Sequence, residues 1–146
     1  MSSTSHIICR GQVDGTFEGF DSDSLFKLAD GTYWLQAEYS YWYYYAYRPV
    51  VEIYSLNGVP HLRVVGQSQS VAVRQISDVI ESRIAGEFTG WDGESEYELI
   101  NGQIWKQTAY RYEYKYKYRP RVLIYGASAG KMMDVEGSRA VVERIR

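Results

Sequence analysis

Cysteine, histidine and proline are scarce: one Cys, two His and three Pro in 146 residues. A lone thiol, Cys9, excludes an intramolecular disulfide and any multi-cysteine zinc site. His6 and His61 are far apart in sequence, and Cys9 has no base at a meaningful spacing for an activated nucleophile. Glycine-rich phosphate loops of the P-loop or dinucleotide type are missing. The chain is therefore expected to be no enzyme and to need neither metal nor cofactor. No apolar run approaches the length of about 18 residues that a membrane helix needs. The start, MSSTSHIICRGQ, lacks the basic flank and apolar core of a secretory signal. The expectation is a cytoplasmic protein with no membrane partner. Net charge is only −2, which gives no general attraction to nucleic acid or anionic lipid.

Tyrosine, by contrast, is abundant: 15 residues, eleven of them in YSYWYYYAYRP (39–49) and YRYEYKYKYRP (110–120), where ten recur at every second position. These stretches belong to an internal repeat. Sliding the chain by 71 positions superimposes residues 17–66 on 88–137 without a gap, with 20 of 50 positions identical. The chain reads as two copies of one unit, residues 1–77 and 78–146.

Within each copy the signals are all β. Asp30-Gly31 and Asn101-Gly102 lie between apolar runs and predict two-residue hairpins. HLRVVG with SVAVRQI, and MMDVEG with AVVERI, read as further strand pairs. Five to six short strands per copy predict two tandem small SH3-like β-barrels. A continuous strand from residue 32 to 54 would be roughly 75 Å long at about 3.3 Å per residue, so the chain must turn. Arg48-Pro49 and Arg119-Pro120 are the expected corners, because proline donates no ladder hydrogen bond and restricts the residue before it.

Alternation puts Tyr39 to Tyr47 on the same parity as Val51 and Ile53, and Tyr110 to Tyr118 with Val122 and Ile124. The other parity of the second copy is charged, so the tyrosines are expected to face inward. The two copies differ on that other side. The first has Trp42, Tyr44 and Ala46, a stripe that an isolated barrel would expose and that is expected to meet the other copy, a second chain or a peptide, or else to be buried locally. The second has Arg111, Lys115, Lys117, Arg119 and Arg121, interleaved with aromatics as a nucleic-acid surface would be, or simply a solvated strand face whose field Glu94, Glu96, Glu98 and Glu113 dilute. Charge follows: residues 1–78 hold 5 basic and 8 acidic side chains, net −3, and residues 79–146 hold 11 and 10, net +1.

Trp34 and Gln36, repeated as Trp105 and Gln107, fall opposite the tyrosines by parity. Either a bulge returns them inward, or they form a small exposed recognition site in each copy. Asp21 with Ser24, and Asp92 with Ser95, are expected to close turns.

The string GEFTGWDGESEYELINGQIWKQTAYRYEYKYKYRPRVLIY resembles a group of short bacterial proteins and accessory domains, some similar to products of mobile gene cassettes. These carry F-x-G-W-x-G, N-G-Q-x-W-x-Q and Y-x-Y-x-Y-x-Y-R-P in that order. The likeness covers most of residues 79–146 and, more loosely, 8–76, where Phe20 replaces Trp91. It implies a bacterial accessory protein and gives no residue a role. The expected function is a non-catalytic module binding a protein or peptide through Trp34, Gln36, Trp42, Tyr44, Trp105 and Gln107; nucleic-acid binding through the five basic residues is the alternative.

Overall fold

The computed structural model describes residues 5–127 and 130–146. β-branched and aromatic residues at alternate positions suit a pleated surface with one buried side, and the described residues are all β, without a helix. None of them therefore forms a helix long and apolar enough to cross a membrane.

The chain divides into two compact units, residues 1–77 and 78–146. Unit 1 contains β1 (Ser5–Gln12), β2 (Thr16–Phe20), β3 (Leu25–Lys27), β4 (Tyr33–Gln36), β5 (Trp42–Tyr47), β6 (Val50–Leu56), β7 (Val59–Val64) and β8 (Ser70–Ile76). They form a six-stranded sheet in the order β1-β6-β7-β8-β4-β3 and a separate ribbon, β2-β5. Unit 2 contains β9 (Val79–Arg83), β10 (Glu87–Trp91), β11 (Glu96–Glu98), β12 (Ile104–Gln107), β13 (Glu113–Tyr118), β14 (Arg121–Ala127), β15 (Gly130–Val135) and β16 (Ser138–Arg144). Its sheet, β9-β14-β15-β16-β12-β11, and its ribbon, β10-β13, follow the same order strand for strand.

Eight strands per unit exceed the five to six expected, because the corner divides the tyrosine run from the next strand and an N-terminal strand lies along its edge. The sheets are open. Val13 bridges Leu28, and Ile84 bridges Leu99, just beyond the outer strands. No ladder continues between those edges, so the expected barrels do not close.

Turn chemistry explains the connections. The β3–β4 turn is not the expected two-residue type. Gly31 has φ +90° while Asp30 stays at negative φ, and Gly31 N donates to the Leu28 carbonyl at 3.0 Å. Asp30 instead caps the turn, its Oδ1 accepting from Thr32 N at 2.9 Å and Thr32 Oγ1 at 2.6 Å. Asn101 accepts from Gln103 N in the same way at 2.9 Å. Among the described residues, the two-residue turns with both φ values positive are Asn57-Gly58 and Glu136-Gly137, which join β6 to β7 and β15 to β16.

The core of unit 1 gathers Phe17, Phe20, Phe26, Leu28, Trp34, Val51 and Ile53, all at or below 5% exposure. In unit 2, Phe88, Trp91, Tyr97, Leu99, Trp105, Val122 and Ile124 occupy the corresponding positions.

Candidate functional site

The tyrosine runs lie on the ribbons and on the loops that lead into them. In unit 1, Thr16 pairs with Tyr47, Phe17 with Ala46, Gly19 with Tyr43 and Phe20 with Trp42. One residue of β2, Glu18, opposes two of β5, Tyr44 and Tyr45, so β5 carries a bulge. Gly19 sits at φ +94°, and a Cβ there would overlap the Trp42 carbonyl. Only glycine permits this approach and this backbone. Gly90 stands at φ +109° against the Glu113 carbonyl in the same way.

The inward expectation for the tyrosines is overturned. The ten phenols at alternate positions from Tyr39 to Tyr47 and from Tyr110 to Tyr118 are 51–85% exposed. The cause is the corner itself. Arg48 and Arg119 adopt left-handed backbone, φ 50° and 49°. The chain thereby reverses which parity faces the core between Tyr47 and Val51, and again between Tyr118 and Val122. The kink expected at Arg-Pro is present; its effect on facing is what simple parity misses.

The stripe expected to be exposed is correspondingly half-buried. Trp42 and Tyr44 pack against the unit 1 core. The indole of Trp42 stacks on Tyr44 with centroids 4.9 Å apart and planes at 9°, and lies 5.1 Å from Phe20. Gln67 donates to the Tyr44 hydroxyl at 3.4 Å. Unit 2 fills the same space differently. Trp91 replaces Phe20, and its Nε1 donates to Ser138 Oγ at 2.8 Å. The Ser138 hydroxyl then donates to Glu113, the residue in the place of Trp42.

Trp34, Gln36, Trp105 and Gln107 are buried, 1–5% exposed, and offer no surface to a partner. Parity alone sends them inward, opposite the tyrosines, without a bulge in β4 or β12. Each Trp is held by a short bond: Trp34 Nε1 donates to Thr32 Oγ1 and Trp105 Nε1 to Gln103 Oε1, both at 3.1 Å. Each Gln secures the loop before the ribbon. Gln36 Nε2 donates to the carbonyls of Asp21, Glu38 and Ser40 at 2.7, 2.8 and 3.2 Å. Gln107 Nε2 donates to Ala109 and Arg111 at 3.0 Å each, and its Oε1 accepts from Asp92 N and Gly93 N at 3.1 and 2.8 Å. These loops carry Tyr39 and Tyr41, and Tyr110 and Tyr112. The glutamines thus act on the tyrosine surface from behind.

The expected turn bonds form: Ser24 Oγ donates to Asp21 at 2.8 Å, and Glu94 N and Ser95 N donate to Asp92 at 2.9 and 2.8 Å. Hydrogen bonds to Ser95 and Glu94 hold the Asp92 carboxyl below its ordinary pKa.

The basic residues of unit 2 are largely paired. Arg111 meets Glu113 at 3.5 Å, Lys117 meets Glu136 at 3.2 Å and Arg121 meets Glu81 at 3.9 Å. Lys115 and Lys117 are half-exposed and alternate with the open tyrosines along β13. Arg119 is exposed at the corner.

Carboxylates are what the sequence reading missed beside the tyrosines. Glu18 and Thr16 are the exposed residues of β2, and Glu87 and Thr89 those of β10. Tyr116 donates to Glu87 at 3.1 Å, which raises the phenol's pKa, with lesser contributions from desolvation and the carboxylate's charge. The transposition TFE against EFT in the repeat was a readable signal. Among the described residues no three His, Cys, Asp or Glu side chains are placed to hold a metal ion.

No family model, curated protein or solved structure matches this chain.

Proposed function

We propose that the protein is a non-catalytic interaction module of bacterial accessory type, and that its contact surfaces are the tyrosine faces of β5 and β13. The observation that supports this is the exposure of ten phenol rings, six on two ribbons whose opposite sides are anchored to a core and four on the loops that lead into them. Tyrosine gives a large amphipathic contact area at low conformational cost, and protein interfaces are enriched in it. Exposed aromatic surface on this scale marks a contact site. The partner is a protein or peptide, and the same surface can join two copies of the chain. In this reading the units are duplicates of one small SH3-like ancestor, supported by the 20 identities and the common strand order.

The test is a random 12-residue peptide display selection on the wild-type protein and on Tyr43→Ser/Tyr45→Ser/Tyr114→Ser/Tyr116→Ser. These rings are 51–71% exposed, so the variant is expected to fold. Peptides captured by the wild type and lost by the variant support the proposal; selections that do not distinguish the two proteins refute it.

A further inference from the structure

Tyrosines elsewhere in unit 1 show what a strand-face phenol accepts in this chain. Arg63 places its guanidinium carbon 4.9 Å from the ring centroid of Tyr54 on β6. Lys27 places Nζ 5.8 Å from that of Tyr33 on β4. The negative face of an aromatic ring attracts a cation at such distances. The rings of Tyr39, Tyr41, Tyr43, Tyr45 and Tyr47 are 60–78% exposed.

Charge on the ribbon favours the same kind of visitor. Trp42–Tyr47 contains no charged residue, and the exposed charge on its partner strand is the Glu18 carboxylate. Unit 2 transposes the pair, with Glu87 and Thr89 in place of Thr16 and Glu18, so each ribbon keeps one carboxylate beside its tyrosines. Spacing adds a geometric constraint. Strand residues on one side recur every two positions, roughly 6.6 Å, and an extended peptide repeats its own side chains at the same interval. Alternate residues of such a peptide therefore meet successive rings.

Resting on the peptide-binding function above, we infer that the tyrosine faces take an extended cationic segment, with Lys or Arg at alternate positions set over the phenol rings and against Glu18 or Glu87. The face of unit 1 is the stronger site. Residues 1–78 carry a net −3 against +1 for 79–146, and β13 carries Lys115 behind its tyrosines where β5 carries the uncharged Tyr44.

The experiment titrates fluorescein-labelled (Lys-Thr)6, (Gln-Thr)6 and (Glu-Thr)6 into the full chain by anisotropy. (Lys-Thr)6 is expected to bind at least about tenfold more tightly than (Gln-Thr)6, with (Glu-Thr)6 weakest. Tyr43→Ser/Tyr45→Ser weakens the lysine peptide about tenfold and Glu18→Gln about threefold, while Tyr114→Ser/Tyr116→Ser has the smaller effect. Thermal melts confirm folding of each variant. Equal affinity for the lysine and glutamine peptides, or lysine-peptide binding indifferent to Tyr43→Ser/Tyr45→Ser, overturns the inference. The display selection separates the two levels: tyrosine-dependent peptides without basic residues overturn the cationic ligand but leave the peptide-binding function standing, whereas no tyrosine-dependent peptide removes both.

Discussion

Gln36 and Asp21 are joined by a reciprocal pair of hydrogen bonds: Asp21 N donates to Gln36 Oε1 at 3.2 Å, and Gln36 Nε2 donates to the Asp21 carbonyl at 2.7 Å. The glutamine amide thus behaves like an extra peptide unit, closing the turn after β2 and the loop before β5 together. Gln107 does the same in unit 2 with Asp92, Gly93, Ala109 and Arg111. A leucine of similar size would fill the space and leave those backbone groups without partners. Gln107→Leu is expected to cost about 2–4 kcal/mol, read as a lower urea midpoint. Gln107→Glu should not restore stability, because the carbonyls of Ala109 and Arg111 need a donor. If Gln107→Leu melts like the wild type, the anchoring role of this residue is wrong.

Gly19 and Gly90 set the separation of the two ribbon strands. Alanine at either position places a methyl group into a facing carbonyl and holds a non-glycine residue at φ near +100°. Each substitution is expected to destabilise its unit by about 3 kcal/mol or more. Gly31→Ala is the control: it shares the positive φ but meets nothing within 4 Å. Its expected cost is about 1 kcal/mol. Denaturant unfolding of the three variants ranks close approach against backbone strain.

Much of the fold is legible in the sequence, and the failures have a common physical origin. Period-two alternation identifies the strands, proline after arginine identifies the corners, and Asp21 and Asp92 identify the capped turns. Alternation states which residues share a side, but the choice of inner side requires a reference. Val51 and Ile53 share the parity of Tyr39 and Tyr47 but lie beyond the corner. The left-handed residue between them, Arg48, broke the connection. Arginine carries no strong preference for that conformation, so nothing in its identity announces the reversal. Trp34 and Gln36 lie on the near side of the corner, and parity with these buried residues places the tyrosines outward. Asn57-Gly58 was a stronger hairpin signal than Asp30-Gly31, and its neighbours Leu56 and Val59 are directly paired.

Tyr97 makes the stability of unit 2 sensitive to alkali. Its hydroxyl is buried and donates to the Gly90 carbonyl at 2.8 Å. Burial, helped by the charge of Asp92, pushes the phenol up to about 12, from an ordinary 10. A folded-state value above the unfolded one means stability is complete below pH 10 and declines as pH rises from 10 through 12. Phe26 holds the equivalent place in unit 1. Tyr97→Phe is expected to flatten this decline while losing about 1 kcal/mol at neutral pH with its hydrogen bond. Urea midpoints measured from pH 8 to 11.5 for both proteins provide the check; parallel slopes would exclude Tyr97 as the source.

The basic residues of unit 2 make a separate prediction about nucleic acid. A surface that neutralises several phosphates releases counterions, so its binding falls steeply with salt. In this chain Arg111, Lys117 and Arg121 are already matched by Glu113, Glu136 and Glu81. Phosphates would have to displace those carboxylates, while Glu87 lies among the exposed residues of the same ribbon. Retention on heparin or on a dT12 column is therefore expected to be weak at 50 mM salt, on the order of one or two phosphate contacts in its salt slope. Lys115→Glu/Lys117→Glu should leave peptide capture by unit 1 unchanged. Tight retention that collapses between 50 and 200 mM salt and disappears in this variant would instead make the second ribbon a nucleic-acid surface, with its tyrosines stacking on bases.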